Sequence, residues 1–593
     1  MRPVLSNGEA SDERSQAWPV WRRLAVGLPI FIVMMGLLIG ISSLTTVPWN
    51  NNPTGQTIAT LANDTAVTFA SSNGDGTADL PEPGDYQVRE RALSITMDRN
   101  GNQVGKARSV KVDESADSTW NVSGKGDQCT QTITVLIREP VGATGKHPGA
   151  VFMHGAGFGT AYNSFGDVAE TLASAGLVTA VIDKPAWDTT DVNRDYPASA
   201  RVYDDAINLL RGFDNVDGGK VGIYATSEST WISQYLLEND PDVAFQVLLS
   251  PMVFSPRESL GFFVSQDFAL AGANEGYQSI VRRVFSADTA MLGLDNFDLD
   301  LPESHAYSIP TFVAYGSKDV MTAQVEGVKR IFAKARASGN RDVTVRSYPV
   351  ANHVLRLGDE AQTGTLLADE YVTDMTAWVE GTVQGLAQTS ERVAGSAIFQ
   401  SIAVPHDLQP RRTGTVYGIV LHASMLLLLV ATGVMWLIAL VRWIRGRGRG
   451  VRHPLGFAHG LDNVLVVLTV ATFATLLLFV AGLFQVVMAV VHLAWGAAPT
   501  DTPGMIQWSW PVIKVVCVLV VLAWSRVFTR LIEAAARQGV LRWPLRGDPI
   551  RRMVRGEEPV IASTRFARVL FWLTAATMMY ILFFFAFWGL FVY

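Results

Sequence analysis

The 593-residue chain has only two cysteines, Cys129 and Cys517. The first lies in a polar stretch and the second inside an apolar run, so the sequence predicts no structural disulfide between them. Histidines number nine, and no metal-ligand spacing accompanies them. No glycine-rich nucleotide fingerprint is present. Lys and Arg total 48 against 54 Asp and Glu, a formal net charge of −6, so nothing favours a nucleic-acid partner. There is no internal repeat and no low-complexity tract, which excludes array architectures. Long apolar runs are missing between residues 45 and 413, yet they dominate both flanks of that stretch. Such segregation predicts a membrane protein carrying a large water-exposed domain.

Leu24 to Leu44 is a charge-free run preceded by Arg22 and Arg23. A bilayer core needs about 20 helical residues, so this run is long enough to cross it. A cleaved signal peptide has a shorter apolar region, about 7–15 residues, and a retained anchor is therefore expected. Val416 to Val441, Val464 to Trp495, Trp508 to Trp524 and Val569 to Val592 bring the expected spans to five. The third of these would extend about 48 Å at 1.5 Å per residue, so it should tilt or project from the membrane.

Charge in the loops sets the expected orientation. Arg442, Arg445, Arg447, Arg449 and Arg452 follow the second span. Arg526, Arg530, Arg537, Arg542, Arg546, Arg551, Arg552, Arg555, Arg565 and Arg568 cluster between the fourth and fifth, whereas Gly496 to Gln507 holds no Lys or Arg. The positive-inside rule makes the Arg-rich loops cytoplasmic and the stretch from 47 to 413 external. Asp462 and Lys514 fall at opposite faces and are not expected to pair. His422, Gln485 and His492 are expected to make helix–helix hydrogen bonds or sit at an interface, since no series of acids accompanies them. Arginine exceeds lysine, a usage that resembles proteins of high-GC bacteria.

Between the membrane runs, short apolar segments alternate with helical ones. The candidate strands are Thr132 to Ile137, Gly149 to Met153, Leu177 to Asp183, Lys220 to Ala225, Phe245 to Ser250, Thr311 to Tyr315 and Val343 to Tyr348. Ser199 to Leu210 and Leu366 to Val383 have helical spacing. This alternation predicts a mostly parallel sheet covered on both faces. Residues 251–308 separate two candidate strands and read as an insertion.

Ser227 follows the strand-like Lys220 to Ala225 and is flanked by small residues, Ala225 and Ser229. Asp319 follows Thr311 to Tyr315, and His353 follows Val343 to Tyr348. His154-Gly155-Ala156-Gly157-Phe158-Gly159 follows Gly149 to Met153. The chain order Ser, Asp, His and the strand before each resemble the α/β-hydrolase superfamily. The usual glycines beside the nucleophile are here Ala225 and Ser229. The resemblance covers residues 130–388 and implies a membrane-anchored serine esterase or lipase.

It also implies roles. Ser227 would be the nucleophile, His353 the general base and acid, and Asp319 the orienting acid. Asp183 is an alternative acid at a strand end. The oxyanion would be met by the backbone N–H of Glu228 and one from Gly155 or Ala156. His154 is expected to shape its loop rather than move protons, and no cofactor or metal is implied. An ester or acyl lipid of the cell envelope is the expected substrate. Acyl transfer to a sugar or lipid hydroxyl uses the same acyl-enzyme and is the alternative, as is a noncatalytic envelope scaffold.

The expected organisation is a cytoplasmic N-terminus (1–23), an anchor (24–44) and an external stalk with early strands (45–129). The α/β-hydrolase-like domain (130–388) follows, with its cap insertion at 251–308. A linker (389–413) then leads to a four-span membrane domain (414–593).

Overall fold

The computed structural model describes residues 18–593 apart from 50–51, 75, 113–120, 125–127, 192, 303, 359–364, 451–454, 459, 495–503, 538–550 and 552–560. Most of the Arg-free loop and Arg452, Arg542, Arg546, Arg552 and Arg555 lie outside the described residues.

Thirteen strands are described: β1 Gln56–Ile58, β2 Gln87–Asp98, β3 Arg108–Val110, β4 Asn121–Ser123, β5 Thr130–Val141, β6 His147–Met153, β7 Val178–Ile182, β8 Val216–Thr226, β9 Gln246–Leu249, β10 Thr311–Gly316, β11 Val343–Tyr348, β12 Val393–Gly395 and β13 Ile398–Gln400. Eleven form one sheet in the order β12-β11-β10-β9-β8-β6-β7-β5-β2-β3, with β4 on β5. From β12 to β7 every pairing is parallel, and from β5 outward every pairing is antiparallel.

Alternation along β8 shows why the sheet is buried on both faces. Val221, Ile223 and Ala225 join one core cluster, while Tyr224 joins the cluster on the opposite face. Helices cover both. Tyr196–Arg211 starts where the Asp195 carboxylate accepts the Ala198 N–H at 2.9 Å, and it buries Tyr203, Ile207 and Leu210 at helical spacing.

Two boundaries within the α/β part differ from the sequence expectation. The helix expected from Leu366 starts at Tyr371, because Glu370 takes a left-handed φ of 63° and Leu367 pairs as a bridge with Arg356. The sheet also reaches beyond 130–388. β12 lies in the segment expected to be a linker and pairs with β11, while β2 pairs with β5 along twelve residues.

The insertion is helical. Pro256–Leu270 opens on a capping box in which Ser255 and Glu258 satisfy each other's backbone N–H. Glu275–Phe285 follows, capped by Asn274.

Five helices are long and apolar enough to cross a membrane: Val20–Leu44, Arg412–Gly448, Leu461–Ala494, Met505–Arg537 and Arg565–Phe587. The last ends short of the expected Val592 because Gly589 takes a φ of 86° and closes the helix. Helix contacts use small and hydroxyl residues. Ser42 donates to the Ala586 carbonyl at 2.7 Å, and Thr432 and Thr577 hydroxyls meet at 2.6 Å. His422 also bridges helices, accepting from Trp588 Nε1 at 3.1 Å and donating to the Gly418 carbonyl at 2.6 Å.

The sheet domain sits at one end of this bundle, and its insertion makes the joint. Tyr277 lies over Gly482, where an added Cβ would be 1.9 Å from its hydroxyl, and that hydroxyl meets Ser509 at 2.8 Å. Gly276 lies equally close to Trp510. The third long helix therefore touches the insertion along its side, through Gly482. The arginines Arg23, Arg530 and Arg537 gather on buried Glu533 at the other end of the bundle.

Candidate active site

β6 and β8 are neighbours, but the chain leaves them in opposite directions, to β7 on one side and β9 on the other. Such a switch point opens a crevice at the C-terminal ends of the strands. Met153 is in register with Ala225, so the loop after β6 and the turn after β8 face each other across it.

Ser227 sits at the turn from β8 into the helix Ser229–Asn239 with a φ of 52°. A left-handed non-glycine residue costs of order 1–3 kcal/mol and persists only where its surroundings hold it. Here they do. The Ser227 N–H donates to Leu249 O at 3.0 Å, and Thr230 Oγ1 donates to Ser227 O at 2.6 Å. Ser229, standing where a glycine is usual, clasps the turn. Its hydroxyl accepts the Thr226 N–H at 2.8 Å and bonds Met153 O at 2.9 Å.

β10 delivers Asp319 and β11 delivers His353. Their loops touch because Gly316 has no side chain, and a Cβ there would lie 2.1 Å from Asn352 O. His353 Nε2 is 2.9 Å from Ser227 Oγ, and His353 Nδ1 is 3.0 Å from Asp319 Oδ1. The Ser250 hydroxyl donates to His353 O at 2.7 Å and fixes the loop. Burial pushes the Asp319 carboxyl up. The neighbouring His353, with hydrogen bonds from Thr322 and the Met321 N–H, outweighs this and leaves it below its ordinary value. An ionised Asp319 fixes the Nδ1–H tautomer, which leaves Nε2 free to accept the serine proton. Asp183, the alternative acid, is instead occupied by the Ala161 and Thr134 N–H groups at 2.9 and 2.7 Å.

Gly155 packs against the serine, with an added Cβ 3.4 Å from Ser227 Cβ. The backbone N–H groups of Gly155, Ala156 and Glu228 donate to no protein acceptor among the described residues. His154 shapes this loop. Its Nε2 bonds Ile182 O at 2.5 Å, and its ring fills the space a side chain at Gly159 would need. Burial lowers the His154 pKa to about 4, so the ring stays neutral.

Lys184 was not apparent from sequence. It is fully buried, donating to Gly155 O at 2.6 Å, to Gly157 O at 3.2 Å and to Glu228 Oε2 at 3.0 Å. One ammonium thus ties the glycine loop to the residue after the serine. Glu228 is further matched by Arg194 and by the Tyr196 hydroxyl at 3.0 Å. The only local signal was a lysine directly after a strand, next to Asp183.

Asp267, on the insertion helix Pro256–Leu270, was also missed. It is fully buried, and neither carboxyl oxygen has a hydrogen-bond partner among the described residues. Burial first, then the nearby charge of Asp319, pushes its pKa up to about 8.

No protein-family model and no curated protein matches the chain. Solved structures match part of the chain. A structure described as a dipeptidyl aminopeptidase IV from Bacteroides ovatus is 12% identical, TM-score 0.31, over 45% of this chain and 35% of its own length. The 2,6-dihydroxy-pseudo-oxynicotine hydrolase is 16% identical, TM-score 0.30, over 47% and 70%. A hyperthermophilic esterase from Pyrobaculum calidifontis is 17% identical, TM-score 0.30, over 42% and 80%. Likeness at this level decides nothing about chemistry, which must come from the site itself.

Proposed function

We propose that the chain is a membrane-anchored serine hydrolase that cleaves ester bonds, with acyl lipids of the envelope as its substrate class. The observation that carries this reading is the continuous contact Ser227–His353–Asp319 on a left-handed elbow. Ser227 Oγ attacks the ester carbonyl while His353 Nε2 takes its proton. Asp319 stabilises the resulting imidazolium without itself being protonated. The oxyanion is met by the Glu228 N–H and by Gly155 or Ala156. His353 then protonates the leaving alkoxide, and water repeats the sequence on the acyl-enzyme. Lipid substrates are supported by the insertion's position between the sheet and the long apolar helices. The far-end arginines, read with the positive-inside rule, support an extracytoplasmic hydrolase domain.

The test is labelling of the full chain in detergent with a fluorophosphonate probe. Labelling is expected on wild type and absent from a folded Ser227→Ala protein. Equal labelling of both would remove Ser227 as the nucleophile, and a wild type that resists the probe would favour the scaffold. Periplasmic and cytoplasmic reporters fused after residues 100 and 448 test the orientation, and a cytoplasmic signal at residue 100 would reverse it.

A further inference from the structure

A second cavity lies where the insertion meets the bundle, with a volume of about 1020 Å³. None of Ser227, Asp319 and His353 lines it. Its walls come from the ends of the first, second and fifth long helices and from the end of the insertion helix Glu275–Phe285. Leu44, Val284, Leu292, Ile419 and Phe587 make much of it apolar. Its lining residues also include three arginines, Arg283, Arg411 and Arg412, and no Asp or Glu.

Arg283 is the informative one. Its side chain is buried, 6 % exposed. Nη1 donates to Ser279 O at 3.0 Å and to Ser279 Oγ at 2.9 Å, whereas Nε and Nη2 meet no acceptor among the described residues. Its other neighbours are Gly589, at the end of the fifth helix, and the Tyr593 ring at 5.6 Å. No carboxylate is within ion-pair distance of Arg283, Arg411 or Arg412 among the described residues. Burial lowers the Arg283 pKa to about 10, and the charge of the neighbouring Arg282 acts in the same direction. Arg411 is engaged with backbone only, donating to Thr46 O at 2.8 Å.

A buried guanidinium is stabilised by an anion with planar or tetrahedral oxygens, and phosphate is a frequent match. Apolar walls running along membrane helices suit an acyl chain. A cation cluster at the end of such helices is where a lipid head group would sit. We infer that this cavity binds an anionic phospholipid from the surrounding leaflet, its phosphate on Arg283 and Arg412 and an acyl chain between Val284, Ile419 and Phe587. The lipid wedges the insertion helix against the second and fifth long helices and completes the joint. This inference rests on the membrane reading of the five helices and is independent of Ser227.

Native mass spectrometry of the full chain in detergent with added phosphatidylglycerol or phosphatidylcholine tests it. Wild type is expected to hold one phosphatidylglycerol and to release phosphatidylcholine. Arg283→Gln with Arg412→Gln should weaken retention about thirtyfold, given about 1 kcal/mol per basic residue at a membrane surface. Ile419→Trp leaves the arginines intact and fills the acyl slot, and it should lose the lipid too. Millimolar inorganic phosphate should not displace it. Equal retention of both lipids, unchanged retention by either variant, or displacement by free phosphate would overturn the assignment. Fluorophosphonate labelling of Ser227 in the same samples reports folding and the hydrolase reading separately. Lipid loss with labelling intact therefore bears on the cavity alone, and lost labelling with lipid retained bears on the serine alone.

Discussion

The crevice at the sheet and the joint at the bundle solve opposite problems with buried charge. In the crevice Glu228 and Asp319 each meet several partners. Glu228 is matched by Lys184, Arg194 and Tyr196, and Asp319 by His353, Thr322 and a backbone N–H. At the joint the fit is one of shape, Tyr277 over Gly482 and Trp510 over Gly276, and the guanidinium beside it is only partly matched. A matched network holds one geometry, which the proposed hydrolytic centre needs. A partly matched one holds a place for something else.

The largest effect that would break this comparison is in the crevice. Ser227→Ala and His353→Ala should each lower ester turnover about 10⁴-fold or more, with circular dichroism unchanged. Asp319→Asn should fall nearly as far, because the ring loses its fixed tautomer. A turnover loss under tenfold for either of the first two would show that the contact is not the reacting one.

Next is Lys184→Met, which leaves two loop carbonyls and one Glu228 oxygen without their buried cation. Breaking a buried pair from one side costs about 3–5 kcal/mol, so the melting temperature should drop. Turnover should fall about tenfold or more with KM little changed, since the fully buried lysine holds the glycine loop proposed to meet the oxyanion. Adding Glu228→Gln should restore part of the stability and none of the turnover. If turnover returned with stability, the role would be structural only.

Gly482→Ala sharpens the other side. A methyl group 1.9 Å from the Tyr277 hydroxyl forces the insertion off the third helix, an overpacking cost of about 1–3 kcal/mol. Soluble short esters should be cleaved at the wild-type rate, while bilayer-embedded acyl lipids should be cleaved more slowly. Equal rates on both would show that the joint only anchors.

The smallest effects are in pH, and both charges belong to the insertion's setting. Asp267 has its pKa raised from 3.8 to about 8, so the folded chain holds a proton the unfolded chain has lost, and stability declines as pH rises through that window. His406 is raised from 6.5 to about 9 by hydrogen bonds with Glu258 and then Glu326. Its contribution is full below 6.5 and is lost as pH rises through about 9. Melting temperatures should therefore fall from pH 5 toward 9. Asp267→Asn should flatten the lower part of the fall and His406→Gln the upper part. Unchanged profiles would mean these groups do not titrate as their surroundings imply.

The sequence by itself determined the elements and the order of the candidate residues along the chain. A parallel sheet buried on both faces needs continuous apolar strands, so the seven expected strands were legible, and with them the positions of Ser227, Asp319 and His353 at strand ends. Apolar runs of bilayer length marked the five long helices for the same reason, since that pattern is local. Tertiary structure alone decided the rest. That β2 pairs with β5 and β12 with β11 depends on partners far apart in sequence, and register of that kind leaves little local trace. That Ser229 replaces a glycine by hydrogen-bonding the turn, that Lys184 ties the glycine loop to Glu228, and that Asp267 and Arg283 are buried without full partners are facts about surroundings. A lysine, an aspartate or an arginine reads as a surface residue until the fold shows what encloses it, because burial and partnership belong to three-dimensional neighbours rather than to the chain.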